Sequence, residues 1–355
     1  MIYQPKCKIE IETVKATSIH DVDFDTLEFG KIFTDHMFVC DYENGAWKTP
    51  KIMPYQALSI EPSARVFHYG QAVFEGMKAY KDADDMIWLF RPDENFNRIN
   101  KSAVRLAIPE FPEAYFFEGL KTLLNLESDW IKKGLGNSLY IRPFVIATEQ
   151  AISASPSNAY KFMIICSPAK AYYTGDVRVL IAEKYSRSAN GGVGFAKAAG
   201  NYAAQFYPTN LANKKGLQQI IWTDAGTHEN LEEAGTMNIF FRIGDKLITA
   251  PNNDRILDGV TRKSLIQLAA DNNIECEVRH LKVKELKDAA RNGTLKEIFG
   301  AGTAAVVSPI IAFEHAGEVF ELGKFKDSYA NFLKEKLMNI QYNIDEDVHN
   351  WRYKV

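Results

Sequence analysis

The chain has 355 residues, 46% of them hydrophobic, enough to bury a large core and more than one domain usually holds, so two domains are the default expectation. Its 42 basic against 45 acidic residues leave a formal charge of −3 with no long run of either sign, which argues against nucleic acid or an anionic membrane as a partner and for a small molecule. The four cysteines (Cys7, Cys40, Cys166, Cys276) are scattered with no C-x-x-C pair, so neither a metal site nor a disulfide framework is expected.

In chain order, MIYQPKCKIEIETVK alternates charged and apolar residues without the apolar run of a signal peptide, and a cytoplasmic protein is expected. MIWLFRP reads as a strand leading into a helix over ENFNRINKSAVRLAI, where Phe96, Ile99, Ala103 and Leu106 share one face. EAYFFEGLKTLLNLESDWIKKG reads as a second amphipathic helix ended by Gly134 or Gly136, and SLYIRPFVIAT and KFMIICSP as strands. A Gly-Asp turn within AKAYYTGDV places the connection between domains at residues 171–177. It divides a smaller N-terminal α/β domain, 1–170, from a larger C-terminal one, 178–355, which carries Lys197. The second half shows strands at VRVLIAEK, QQIIWT, MNIFFRI, KLITAP and IECEVR. Its helices begin near Tyr202 and Thr261, in KVKELKDAARNG and in SYANFLKEKLMNIQ. EIFGAGTAAVVSPIIAF, the most apolar long stretch, is broken by Gly300, Gly302, Ser308 and Pro309 and is too short to cross a bilayer.

The string GVGFAKAAGNY sets Lys197 among small apolar residues with no carboxylate near it in sequence. Burial disfavours an ammonium, and a neutral amine is a nucleophile suited to covalent attachment of an aldehyde cofactor, with room beside it for a flat ring. The same string fits a lysine reaching from a loop into solvent. Asn201 is a candidate helix cap and Gly216 the helix end, and the Tyr202 phenol, five residues past the lysine, could reach the same ligand.

In NLEEAGTMNIFF, two acids stand at the entrance of an apolar strand. A carboxylate at Glu233 could keep a pyridine nitrogen protonated, while Glu232 reads as a solvated loop acid. Val260 and Thr261 open a helix whose free N–H groups favour a phosphate, and Gly300, Gly302, Thr303 and Ala304 expose further amides. GAGTAA also fits the dinucleotide fingerprint of an oxidoreductase, but VVSPIIAF after it reads as a strand where that motif needs a helix. Arg98 could fork onto a phosphate, although alone it reads as an ordinary surface arginine, and Arg142, inside an apolar strand, should have a partner.

Taken together, FGKIFTDHMF, FHYGQAVFEGMKAY, LFRPDENFNRI, YIRPF, AKAAGNYA, EEAGTMNIF, DGVTRKSL and FGAGTAAVV, in this order across nearly the whole chain, resemble the class IV family of pyridoxal-phosphate enzymes, most closely the branched-chain amino acid aminotransferases. The resemblance implies a mixed α+β, two-domain fold with the active site at the domain interface. It implies ping-pong transfer of an amino group between L-leucine, L-isoleucine or L-valine and 2-oxoglutarate. On the cofactor, pyridoxal 5′-phosphate, it gives Lys197 the covalent link and proton shuttle, Tyr202 the ring 3-oxygen and Glu233 the ring nitrogen. Arg98, Val260, Thr261 and Thr303 take the phosphate. The substrate carboxylate falls to the amides of Thr303 and Ala304 with Tyr69. Phe29, Phe74, Tyr140, Tyr172 and Thr236 shape an apolar pocket, Ile152 and Ala154 come from a partner chain of a homodimer, and Arg142 lets the pocket take glutamate. Some vertebrate members carry a C-x-x-C pair where Ala305-Val306-Val307-Ser308 stands here, so thiol switching is not expected. A D-amino acid aminotransferase or aminodeoxychorismate lyase would share the cofactor residues, and a non-catalytic protein the fold.

Overall fold

Ser138–Ala147 and Tyr160–Ala169, strands of 10 residues each, lie where β-branched and aromatic residues are dense, and they pair antiparallel from Ser138 opposite Ala169 to Ala147 opposite Tyr160. This computed structural model describes residues 7–170, 177–323 and 325–355. Seven helices are seen among them: α1 (Arg65–Tyr69), α2 (Pro92–Arg105), α3 (Glu113–Leu126), α4 (Ala199–Asn213), α5 (Val260–Asp271), α6 (Val283–Arg291) and α7 (Tyr329–Gln341). None of the described helices is long and apolar enough to cross a membrane.

The chain divides into two units, one of Met1–Tyr172, Ala196–Ala199 and Ile340–Val355, the other of Tyr173–Phe195 and Gly200–Asn339. The sequence division counted 196–199 and 340–355 with the second domain. They join the first because the chain there is bonded to it: the Phe74 N–H donates to the Lys197 carbonyl, Ala198 bridges Val73, and Arg352–Lys354 adds an edge strand to Ile87–Phe90. Most of the expected connection, residues 171–176 with Tyr172, lies outside the described residues.

In the first unit the sheet runs Lys51–Pro54, His36–Glu43, Tyr160–Ala169, Ser138–Ala147, Met77–Lys81, Ile87–Phe90, with Ala72–Phe74 also paired to Ser138–Ala147. Its core gathers Phe38, Phe111, Phe116 and Phe162 with Ile99 and Ala103 of α2, and Phe96 and Leu106, the other two residues whose spacing marked that face, are partly buried against it. The α3 helix ends at Leu126, earlier than expected. Glu127 turns inward to meet the His36 ring at 2.5 Å, and Trp130 and Ile131 drop into the core, so the chain leaves the helix axis well before Gly134.

In the second unit Asn238–Ile243, Leu295–Gly302, Val306–His315, Val177–Ile181, Gln219–Thr223 and Asn230–Ala234 follow one another, and a pairing of Glu233 with Asn238 joins the last to the first. These strands therefore close into a ring. The α4 helix begins at Ala199, two residues before the expected cap, and the Asn201 amide instead donates to the Val193 carbonyl at 2.8 Å.

Candidate active site

In the first unit, Lys197 is held through its backbone. Its N–H donates to Ser102 Oγ on α2 at 2.9 Å, and its carbonyl accepts the Phe74 N–H at 3.1 Å. It is half-buried, with Nζ 4.8 Å from the centre of the Phe74 ring. The same ring carries Arg142, whose guanidinium lies 4.7 Å from its centre and donates to the Tyr140 hydroxyl at 3.0 Å. Arg142 thus has partners as expected, but they are rings and a phenol, and its buried Nε has no hydrogen-bond partner among the described residues. Phe29 meets Tyr140 edge-on with centroids 4.9 Å apart.

Gly76 makes room for this arrangement, since a Cβ there would sit 2.9 Å from Tyr140 Cζ and closer still to its hydroxyl. Gly76→Ala should therefore overpack the site, costing about 1–3 kcal/mol and turning Tyr140 away from Arg142. A urea midpoint unchanged from wild type would contradict that.

Arg98 is not a surface residue. Only 8% exposed on α2, it is bidentate to Glu75, Nε to Oε1 at 2.6 Å and an amino group to Oε2 at 2.9 Å, with the Asn95 amide adding a donor at 2.7 Å. Glu75 has no exposure at all. Burial would raise its carboxyl, yet the charge and hydrogen bonds of Arg98, the charge of Lys197 and the Asn95 amide hold it below the ordinary value. Sequence reasoning passed over Glu75. Tyr69, at the end of α1, is half-exposed and its hydroxyl donates to the Ile152 carbonyl; Ile152 and Ala154 are exposed.

In the second unit Glu233 is buried at the rung that closes the strand ring. Three donors face it: the Leu257 N–H at 3.1 Å, the Asn238 amide at 3.1 Å and the Arg187 guanidinium at 2.9 Å. Arg187 is buried as well and also spans the carbonyls of Gly194 and Arg255. No sequence pattern had marked it. Glu232 is not the solvated acid expected. It is 3% exposed on the Asn230–Ala234 strand and paired with Arg255, and burial pushes its carboxyl up even so.

Val260 and Thr261 are buried at the start of α5, behind Gly259, which as N-cap offers no side chain to the first-turn N–H groups. The glycine is needed there because a Cβ would collide with the Asn238 amide that holds Glu233. Thr303 and Ala304 form the half-buried turn between Leu295–Gly302 and Val306–His315, and Gly302 lies against the carbonyl of Thr236, itself exposed; a Cβ would stand 3.2 Å from it. A strand follows this turn, so the dinucleotide fingerprint lacks the helix it requires. Tyr202 is half-buried on α4.

A profile of the amino-transferase class IV family matches residues 72–313, a span that holds Lys197, Glu233 and the start of α5. A branched-chain-amino-acid transaminase 1 of Bacillus subtilis strain 168 is 44% identical over 339 residues, covering 94% of this chain and 95% of its own length. The chain belongs to the branched-chain amino acid aminotransferases of that class. Among solved structures, a branched-chain aminotransferase from the thermophilic archaeon Thermoproteus uzoniensis, with norvaline, superposes with a TM-score of 0.74 at 23% identity over 90% of this chain and 99% of its own. The branched-chain amino acid aminotransferase of Escherichia coli superposes at 0.72 with 22% identity over 90% and 98%.

Proposed function

We propose that this chain uses pyridoxal 5′-phosphate to move an amino group between L-leucine, L-isoleucine or L-valine and 2-oxoglutarate. The observation that carries this reading is the Phe74 ring, with Lys197 Nζ 4.8 Å and the Arg142 guanidinium 4.7 Å from its centre. One aromatic surface thus serves both the reacting amine and the place where a side chain is read. Phe29, Phe74 and Tyr140 suit a branched apolar side chain. Arg142, with its buried Nε unpartnered among the described residues, suits the second carboxylate of glutamate without keeping an uncompensated anion in the pocket.

The residues present fit the cofactor by their donor chemistry: an amine for an aldehyde, a buried carboxylate for a pyridinium and uncapped amides for a phosphate. When bound, the group would supply an electron sink for the bond broken at the substrate's Cα. Lys197 would hold it covalently and carry the proton to and from Cα. Tyr202 would donate to the ring oxygen and Glu233 would keep the ring nitrogen protonated. The amides of Val260 and Thr261, Thr303 and the Arg98 guanidinium would take the phosphate, although Glu75 already engages two of the arginine's donors. The amides of Thr303 and Ala304 with the Tyr69 phenol would take the substrate carboxylate, and Thr236 would border the side chain. Ile152 and Ala154, exposed on one chain, are offered to a second copy in a homodimer.

Incubation with L-leucine and 2-oxoglutarate should yield glutamate, and the protein should be yellow and become labelled at Lys197 on borohydride reduction. Glutamate formed from D-alanine alone would favour a D-amino acid aminotransferase of the same fold. Glu233→Gln should lower kcat by about 10²-fold or more while cofactor affinity changes far less, because the ring's electron demand is what the charge serves. An unchanged kcat would remove Glu233 from that role.

A further inference from the structure

Between Val14 and the strand that begins at His36 the chain makes one long loop, with a single helical turn at Ile19–Asp21 as its regular structure. Loops this long inside a compact unit are usually functional. The far end of this one carries Phe29, whose ring meets Tyr140 edge-on with centroids 4.9 Å apart. Phe29 is the second residue of a turn, Glu28 to Lys31, in which the Lys31 N–H donates to the Glu28 carbonyl at 3.3 Å and Gly30 takes a φ of 71°.

The base of the loop is knotted by two adjacent residues. Asp35 Oδ1 accepts the Ser18 N–H at 2.8 Å and the Ser18 hydroxyl at 2.7 Å, and its Oδ2 accepts the Thr17 hydroxyl at 2.5 Å and the Trp130 indole N–H at 3.0 Å. Trp130 is buried in the core, so one carboxylate ties the outgoing leg of the loop to a fixed point. Burial would raise that carboxyl, yet these donors hold it below its ordinary value. His36, 4% exposed, accepts the Val14 N–H on Nε2 at 2.9 Å. That nitrogen therefore carries no proton, and the proton of the neutral ring sits on Nδ1, facing Glu127 at 2.5 Å. From base to tip the contacts continue: Phe24 leans on Trp130 with centroids 6.2 Å apart, and Asp23 accepts the Asp25 N–H and the Thr26 hydroxyl, each at 2.9 Å.

We propose that Asp35 is a positioning residue for side-chain recognition: by joining Thr17 and Ser18 to Trp130 it fixes the legs of the loop and so sets Phe29 against Tyr140, ready for a branched apolar side chain. The proposal rests on the reading of Phe29 as a wall of the substrate pocket. Because the ring is ordered beforehand, substrate binding does not bear that entropy. An asparagine at position 35 cannot keep the knot. It offers one acceptor oxygen and one donor group where the carboxylate offers two acceptors, so either the Ser18 N–H or the Trp130 N–H would face another donor.

The test is a double-mutant cycle on the holoenzyme with two amino donors, L-leucine and L-alanine, the second having a side chain too short to use an apolar wall. Phe29→Ala should lower kcat/KM for L-leucine and hardly change it for L-alanine. Asp35→Asn should raise KM for L-leucine about 3- to 10-fold, the scale of ordering one side chain, with kcat within about twofold and kcat/KM for L-alanine unchanged. In the Phe29→Ala background Asp35→Asn should add nothing further. If Phe29→Ala spares L-leucine, the reading of Phe29 itself fails. If Phe29→Ala acts while Asp35→Asn leaves the ratio of the two donors unchanged, or the two effects simply add, the positioning role alone is overturned. Should Asp35→Asn not fold, Thr17→Val combined with Ser18→Ala, which removes both hydroxyl donors from the same carboxylate, takes its place under the same criteria.

Discussion

Lys197→Ala should give a folded protein that has lost roughly three or more orders of magnitude in transamination rate, the scale on which removal of a reacting side chain acts. Both halves of this expectation come from the same geometry. The backbone of Lys197 is tied to Ser102 and Phe74 through atoms that alanine also has. Its side chain adds contact with the Phe74 face, worth about 0.5–1 kcal/mol at a partly exposed site. A urea midpoint close to wild type, with glutamate production gone and no borohydride-stable label, is the expected combination. Turnover near the wild-type rate would show that another group does the chemistry. A collapsed fold would show that the side chain is structural.

Glu75→Gln is expected to act the other way, chiefly on stability, with a loss of about 3–5 kcal/mol as one partner of a buried ion pair disappears. The amide has one oxygen where Arg98 needs two, and its NH₂ would point at a guanidinium or at the Asn95 amide, donors both. The effect should depend on pH with a definite sign. Because the folded carboxyl is held below its ordinary value, its contribution is complete above about pH 4.3, the unfolded reference, and drains away as pH falls through the folded value. Urea midpoints of wild type and variant should therefore stand far apart at pH 7 and approach each other in acid. A gap that stays constant would mean the Glu75 charge is not what stabilises this site.

Much of the fold was legible because its long elements obey simple periodicities. The α2 face, the Ser138–Ala147 and Tyr160–Ala169 strands, and α5 through α7 follow from spacing alone. Lys197, Glu233 and the α5 start were legible since each sits beside small residues or a strand entrance that gives it a chemical reason. What stayed hidden were pairings across the sequence. Nothing near Arg98 names Glu75, 23 residues earlier. The argument applied to Arg142, that a charge in an apolar strand needs a partner, would have marked the acid in VFEGM as well. Glu232 was misread because a pair of acids at a strand entrance looks solvated until the strand's neighbours are known. Arg187 lies in a stretch without periodicity, and only the folded chain brings it to Glu233.

The ring of strands in the second unit closes at Glu233 and Asn238, with Ala234 bonded to Met237 across the intervening turn. Side chains alternate along a strand, so one residue inserted or deleted between 234 and 237 would send the Glu233 carboxylate to the opposite face while leaving composition and charge nearly untouched. Loop-length changes, harmless at most surface turns, should here part the Glu233 carboxylate from Arg187, Asn238 and the Leu257 N–H in a single step, which makes this hairpin a poor choice for epitope insertion or circular permutation.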